Sequence, residues 1–344
     1  MKRTVFRPIL GFLSACILLC ALALAFSPAV SAEGNERELI PGGMAFGVKY
    51  YAKGAIIIGT CDVETASGLV SPARDAGLAA GDIVTAAGGK EIGSLEELLE
   101  LVRGCGGKKI EIQYLRDNQT QNTFVTPAMD KGVNEYRMGV WVRDSTAGIG
   151  TITFIDGGSR RFGGLGHGIN DSATGLLMPF GRGSITNVKI TGVVRGRKSV
   201  PGELKGEFDT SDVGKLFSNT EVGVFGTYDT LPAGLSDPVP VAPASALRTG
   251  KAVLRTSAGG SLQEYAIEIE EIYKDSGKTK NFLVRVTDER LLSLTGGIVQ
   301  GMSGSPILQD GKLVGAVTHV LVNDPTRGYG ICIDNMLEEM EKAG

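Results

Sequence analysis

The chain begins with one long apolar stretch and then changes to short hydrophobic runs between polar turns. Three basic residues lie within the first seven positions, and the apolar run 9–26 follows them. Val30-Ser31-Ala32 supplies the small residues of a cleavage site, as in a secretory signal. The run is also long enough to span a bilayer if it stays attached. We therefore expect residues 1–32 to direct export across the cytoplasmic membrane, as a cleaved signal peptide or as a membrane anchor.

Residues 38–127 alternate strand patterns with one amphipathic helix. The runs "AFGVKYY" and "GAIIIGTC" predict two strands separated by Ala52-Lys53-Gly54, and residues 108–126 predict a hairpin. Between them, Ser94 and Glu97 form the pattern of a helix-capping box. The apolar face that follows consists of Leu95, Leu98, Leu99 and Val102, and Gly104 marks the helix end.

This first region resembles a PDZ domain. The segment "SPARDAGLAAGDIVTAAGGKEI" (71–92) is similar to the family's A-G-L-x-x-G-D-x-I pattern. "PGGMAFGV" (41–48) stands where the family's carboxylate-binding loop precedes its groove strand. The resemblance implies a peptide-binding loop made of Gly43, Met44, Ala45 and Phe46.

In this interpretation the backbone N–H groups of the loop form a nest for an anionic chain end. The strand from Phe46 to Tyr50 would offer its edge to an added peptide strand. The alternative is that Gly42-Gly43 is a simple turn before a strand. Whether the groove takes a chain end, an internal segment or part of this chain stays open.

Residues 128–344 show the pattern of an all-β domain. Short apolar runs recur between Gly, Asp, Ser and Pro turns, which is typical of a barrel or a double barrel. Only residues 333–343 predict a final helix. The expected fold is therefore mostly β with a small α/β part.

Composition excludes several function classes. The net charge of −3 provides no basic surface for nucleic acid. The cysteines fit no zinc spacing, and the odd number beyond the apolar run implies no disulfide framework. We expect Cys61 and Cys105 to be buried thiols rather than a bridge, and the sequence implies no metal or organic cofactor.

The chain contains two histidines, and they lie in different settings. His167 lies in the glycine-rich segment "GGLGHGIND", where small neighbours leave an imidazole accessible. His319 lies in the apolar strand pattern "LVGAVTHVLV", where a histidine is more often structural. We therefore predict a functional role for His167 and a structural role for His319.

Ser303 is the candidate nucleophile. Acyl transfer needs an exposed hydroxyl, a base and N–H donors for the developing oxyanion. The segment "GMSGSPI" and the hairpin that follows it resemble the G-x-S-G-x-P region of chymotrypsin-type serine proteases. By that resemblance the N–H groups of Gly301 and Ser303 form the oxyanion hole, and Ser305 is the lesser candidate.

A third group must orient the imidazole, and spacing alone leaves the acidic residues open. The candidates are Asp171, Asp209, Asp212, Asp229, Asp275 and Asp288. Asp171 fits a local turn, and Asp209 and Asp212 fit a solvated loop.

The export pattern, the PDZ-like region, "GGLGHGIND" and "IVQGMSGSPI" together resemble the SpoIVB family of sporulation peptidases. The resemblance covers nearly the whole chain after residue 32. It implies a His-Asp-Ser triad, here His167, Asp288 and Ser303. It also implies action between the two membranes of a developing spore, where cleavage of a membrane-associated regulator lets an intramembrane protease activate a late sigma factor.

The same resemblance implies self-cleavage near the N-terminus, for which Ser31–Ile40 is the expected place. Two other functions stay open. A stress-type periplasmic protease usually carries its PDZ domain after the protease, which is the opposite order. A non-catalytic PDZ adaptor would not need His167 or the glycines around Ser303.

Overall fold

The computed structural model describes residues 37–117, 119–273 and 277–343. The first region contains eight strands and two helices. These elements are β1 (Glu38–Pro41), β2 (Ala45–Thr60), β3 (Val63–Thr65), β4 (Gly68–Val70), α1 (Pro72–Asp75), β5 (Ile83–Ala87), β6 (Lys90–Glu91), α2 (Leu95–Gly104), β7 (Ile110–Arg116) and β8 (Gln119–Val125).

The second region consists mainly of strands. They are β9 (Ala128–Asp130), β10 (Glu135–Arg137), β11 (Val140–Ile155), β12 (Arg161–Gly164), β13 (Phe180–Val194), β14 (Glu203–Thr220), β15 (Gly223–Tyr228), β16 (Val239–Pro240), β17 (Gly250–Thr256), β18 (Gln263–Ile272), β19 (Phe282–Val286), β20 (Pro306–Gln309), β21 (Lys312–Leu321) and β22 (Asp324–Cys332). Its helices are α3 (Glu289–Thr295) and the predicted final helix α4 (Ile333–Ala343), and a 3-10 turn lies at Ala244–Ala246.

Helix α2 forms where the capping pattern predicts it. The Ser94 hydroxyl accepts a hydrogen bond from the N–H of Glu97 (3.3 Å). The Glu97 carboxylate accepts the N–H of Gly93 (2.7 Å), one residue earlier than a standard capping box requires. Leu98 and Val102 are buried. The predicted hairpin of β7 and β8 forms as well, with Arg116 opposite Gln119 at its end.

Strand β2 differs from the sequence prediction of two separate strands, because it continues through Ala52-Lys53-Gly54 as one strand. Its second half pairs with β5, with Ala55 opposite Val84. The first half of β2 does not pair with β5 and lies between β11 and β13. Both edges of the expected groove strand Phe46–Tyr50 are therefore occupied by other parts of the chain.

The prediction of a peptide-binding loop at Gly43–Phe46 is wrong for the same reason. The N–H of Gly43 donates to the carbonyl of Ile152 (2.7 Å), and the N–H of Ala45 donates to the hydroxyl of Ser257 (2.8 Å). These donors are not free for an anionic chain end. Local sequence could not reveal this, because the competing partners are far away along the chain.

Strand β2 joins the two regions in a twelve-stranded sheet of order β16-β1-β11-β12-β15-β14-β13-β2-β5-β7-β8, with β6 paired to β5. Six further strands close a separate barrel in the order β17-β18-β19-β22-β21-β20. The predicted mostly β fold is confirmed. One half of the expected double barrel is the closed barrel. The other half is the ring β2-β11-β12-β15-β14-β13, which the pairing of β11 with β2 completes. That ring is continuous through β2 with β5, β7 and β8 of the first region.

Helix α4 packs where the sheet and the closed barrel meet. Its residues Ile333, Met336, Leu337 and Met340 are buried in one apolar cluster. That cluster also contains Phe154 and Phe225 from the sheet and Leu313 and Ala316 from the barrel. Burying this apolar face stabilises the junction at which the candidate site lies.

The predicted export segment, residues 1–32, lies outside the described residues. Within the described ranges, no helix combines the length and apolar character needed to cross a membrane.

Candidate active site

The turn that carries Ser303 connects α3 to β20. Gly301 and Gly304 lie on either side of Met302 and Ser303, with φ angles of +95° and +92°. L side chains adopt this conformation only with strain. A Cβ on Gly304 would lie 2.1 Å from the carbonyl oxygen of Thr151 and 2.4 Å from the nitrogen of Leu165. The glycines therefore allow the turn to approach β11 and the segment after β12 closely.

Three hydrogen bonds from β11 hold the carbonyl groups of this turn. The N–H of Thr151 donates to the carbonyl of Ser303 (3.0 Å), and its hydroxyl donates to the carbonyl of Gly301 (2.8 Å). The hydroxyl of Thr153 donates to the carbonyl of Gly304 (2.8 Å). Both threonines are buried, so these bonds form away from water. The sheet thus sets the backbone orientation around Ser303.

The N–H groups of the turn fall into two sets. One set donates to backbone carbonyls: Met302 to Val299, Gly304 to Val317, and Ser305 to Met302. In the part of the chain that the structure describes, the N–H groups of Gly301 and Ser303 donate no such hydrogen bond. These are the two groups predicted to bind the oxyanion, and their backbone surroundings leave them available for that role.

Of the two serines in the turn, Ser303 is the accessible one. Ser303 is half-buried. Ser305 is fully buried, and its Oγ has no hydrogen-bond partner among the residues that the structure describes. A substrate must reach the nucleophile, so exposure favours Ser303.

His167 follows β12 on a sharply turning segment in which Leu165 and Gly166 both have φ of +67°. Its Nδ1 lies 2.8 Å from the carbonyl oxygen of Gly168. Since a carbonyl only accepts, we assign the proton to Nδ1, which leaves Nε2 unprotonated. Burial lowers the pKa of His167 below its ordinary 6.5, against the opposing effect of the Gly168 carbonyl. The imidazole is therefore neutral at pH 7, as a general base requires.

The His167 segment and the Ser303 turn meet at β21. The N–H of Gly304 donates to the carbonyl of Val317 (2.7 Å), and a Cβ on Gly166 would lie 2.9 Å from the Thr318 side chain. Neighbouring residues of one strand thus contact the residue after Ser303 and the residue before His167. The structure brings the predicted nucleophile and base to one junction.

His319, predicted to be structural, also lies at this junction. Its ring centroid is 5.0 Å from that of His167, and the ring planes are inclined by 38°. One feature of the sequence could have indicated this. His319 lies on the second strand of the hairpin that follows Ser303. Periodicity could not show that this strand passes beside His167.

Asp288 has other partners. It caps helix α3, accepting the N–H of Arg290 (2.9 Å), and it forms an ion pair with the Arg290 guanidinium (2.8 Å). The hydrogen bond from that guanidinium holds the pKa of Asp288 well below its usual range. Among the described residues, no hydrogen bond joins Asp288 to His167. Its role as the orienting acid stays a prediction that depends on family resemblance.

Asp171 is a turn residue, as its sequence context suggests. One carboxylate oxygen accepts the N–H groups of Ala173 (3.0 Å) and Thr174 (2.9 Å). The other receives Arg143 at 2.9 Å. The side chain is buried, and these contacts stabilise the loop that follows His167.

A groove lies beside α2. The strand on its other side is β11, not the predicted strand Phe46–Tyr50. Leu99 of α2 and Trp141 of β11 are 38% and 64% exposed along this groove. Val140 pairs with Thr60 of β2, so the start of β11 occupies the position expected for Phe46–Tyr50.

The three cysteines among the described residues are free thiols. Cys332 is buried, whereas Cys61 and Cys105 are only half-buried, which is more exposed than expected. In the described ranges, no cluster of three or more His, Cys, Asp or Glu side chains could hold a metal ion.

Comparison with known proteins agrees with this arrangement. The family model of SpoIVB peptidase S55 matches residues 134–337, more than half of the 344-residue chain. A PDZ domain model matches residues 68–116. The predicted order, a PDZ domain followed by a serine peptidase domain, is confirmed.

More distant likenesses are partial. A Neisseria meningitidis protein described as "Putative zinc metalloprotease NMA0084" is 47% identical over 57 residues, which is 17% of this chain and only 13% of that protein. The active form of the Rv3671c protease from M. tuberculosis has a TM-score of 0.34 and 16% identity, over 59% of this chain and 75% of its own. The HtrA-type protease AlgW with a tripeptide has a TM-score of 0.35 and 12% identity, over 57% and 56%.

Proposed function

From the premise that this chain belongs to the SpoIVB peptidase S55 family and is a serine endopeptidase, we propose that Ser303 is its nucleophile and His167 its general base. The observation that carries this assignment is the meeting of the two segments at β21, with Gly304 bonded to Val317 and Gly166 against Thr318. The available N–H groups of Gly301 and Ser303 support it.

In this mechanism the Ser303 Oγ attacks the scissile carbonyl carbon, while His167 Nε2 takes the hydroxyl proton. The carbonyl oxygen becomes an oxyanion, and the N–H groups of Gly301 and Ser303 stabilise it. His167 then gives the proton to the leaving amine, and an acyl ester on Ser303 remains. Water, deprotonated by His167, hydrolyses the ester and restores the serine.

For the biological role, we propose an exported peptidase that acts between the two membranes of a developing spore. Its substrate would be a membrane-associated regulator, whose cleavage lets an intramembrane protease activate a late sigma factor. Family membership supports this role, and so does the signal-like pattern of residues 1–32.

The lowered pKa of His167 predicts the acid side of the pH profile. The imidazole must be neutral to accept a proton, so kcat/KM should be constant near neutrality. It should fall as the pH decreases through a pKa below the ordinary 6.5. Rates on a peptide substrate between about pH 4 and pH 8 measure this midpoint. A midpoint above 6.5 would contradict the buried, neutral base.

Self-cleavage should occur before residue 38. Strand β1 pairs with both β11 and β16, and Leu39 is 1% exposed, so a protease cannot bind Glu38–Pro41 as an extended peptide. The expected segment Ser31–Ile40 therefore narrows to 31–37. Mass analysis should find a new N-terminus there in the wild-type protein and not in Ser303→Ala. The same fragment from both proteins would point to another protease.

A further inference from the structure

The two histidines of the chain form a ring pair at the candidate site. A centroid distance of 5.0 Å and an inclination of 38° lie in the range of favourable ring contacts. His167 lies between Gly166 and Gly168, two residues without side chains. A ring at this distance covers one face of the His167 imidazole and limits its rotation.

His319 lies on a well-supported strand. It is opposite Tyr329 of β22 in the closed barrel. The two residues before it on β21 are Val317, which binds Gly304, and Thr318, which contacts Gly166. The strand that carries the His319 ring therefore also binds the Ser303 turn. Through these contacts, β21 can set the position of His167 relative to Ser303.

The charges around His319 favour a neutral ring. His319 is an exposed residue, but the protein around its ring still desolvates it. This desolvation, together with repulsion from a charged His167 and from Lys280, lowers the pKa of His319 to about 4. The Lys280 ammonium also lies 5.1 Å from the centroid of the Tyr329 ring. At neutral pH the pair thus consists of two uncharged imidazoles that pack without repulsion.

We propose that His319 is a positioning residue for catalysis: its ring covers the His167 imidazole and holds it in register with the Ser303 turn. This inference rests on the proposed function, in which His167 is the base. It assigns to His319 a packing role that Asp288 does not fill in this structure, since Arg290 binds the Asp288 carboxylate.

Histidine NMR tests the ring pair directly, because the chain has only two histidines. The protein is the untagged full chain with Ser303→Ala, which prevents self-cleavage. We expect His319→Ala to raise the titration midpoint of His167 towards 6.5, because water then reaches the exposed ring face. His319→Phe keeps a ring there and should leave the midpoint low. An unchanged midpoint in His319→Ala would overturn the proposal.

Kinetics test the catalytic consequence in proteins that retain Ser303. His319→Ala should lower kcat/KM by about 10- to 100-fold, mainly through kcat, because the base is misplaced. The midpoint on the acid side of the kcat/KM pH profile should rise by the same amount as the His167 midpoint measured by NMR. His319→Phe should stay within about 3-fold of wild type. If His319 has only a structural role, His319→Ala should lower the stability of the protein without changing the acid midpoint of the pH profile. Either that result or full activity in His319→Ala would reject the positioning role.

Failure of the proposed function would be seen elsewhere. If wild-type protein has no activity that depends on Ser303, the assignment of nucleophile and base fails. If the titration midpoint of His167 is the same with and without the His319 ring, the positioning role of His319 is rejected. The assignment of Ser303 and His167 as catalytic residues is unaffected by that result. The two failures come from different measurements.

Discussion

Replacement of Ser303 by alanine is expected to abolish both peptidase activity and covalent labelling by a fluorophosphonate. The Ser303 Oγ is the atom that would bond to the substrate carbonyl or to phosphorus, and alanine has no oxygen to offer. Loss of the nucleophile from a site of this type lowers kcat by about 10³-fold or more. The measurement is labelling of the folded full chain, followed by peptide hydrolysis.

Ser305→Ala is the matched control, two residues away in the same turn. The Ser305 Oγ is buried and has no hydrogen-bond partner within the described ranges. Its removal therefore breaks no hydrogen bond seen there and should cost little stability. This variant should label and cleave like wild type. Labelling that persists in Ser303→Ala but disappears in Ser305→Ala would transfer the nucleophile to the other serine. If labelling and cleavage persist in both variants, the proposed mechanism is wrong.

Replacement of Gly304 by alanine should destabilise the protein and remove its activity. The residue has φ of +92°, and a Cβ would lie 2.1 Å from the Thr151 oxygen and 2.4 Å from the Leu165 nitrogen. Both neighbours are backbone atoms that cannot rotate away. Strain and overpacking together should lower the free energy of unfolding by about 3 kcal/mol or more. The turn would also move away from the His167 segment.

Gly311→Ala separates the two causes. Gly311 has φ of +77°, but a Cβ there would meet nothing within 4 Å. It should cost only the backbone penalty, about 1 kcal/mol, with activity retained. Urea unfolding of both variants gives the comparison. Equal losses of stability would show that the close approach of the Ser303 turn to β11 is not what requires glycine at position 304.

Features encoded by neighbouring residues were predictable. The capping pattern at Ser94 placed helix α2, alternation placed the hairpin of β7 and β8, and the final helix forms at the predicted residues. The candidate site was predictable in part for the same reason. The glycines around Ser303 and His167 report backbone conformations that their own segments need.

Features that depend on distant partners were not predictable. The two strands expected on either side of Ala52-Lys53-Gly54 are one strand, whose first half pairs with β11 and β13. In the loop before β2, the carbonyl of Ile152 of β11 accepts the N–H of Gly43. At the first residue of β2, the hydroxyl of Ser257 accepts the N–H of Ala45. The neighbours of His167 and Asp288 depend in the same way on strands far along the chain.

The sequence by itself determined most of the elements that were predicted and made Ser303 and His167 candidates, because periodicity, capping and glycine patterns act over a few residues. The order of the PDZ and peptidase regions followed from the resemblance of their segments to known families. Only the tertiary structure decided which strand edges are free and which side chains meet. Edges compete for the same hydrogen bonds across the whole chain. His319 reaches His167 only because β21 returns along the junction that also holds the Ser303 turn.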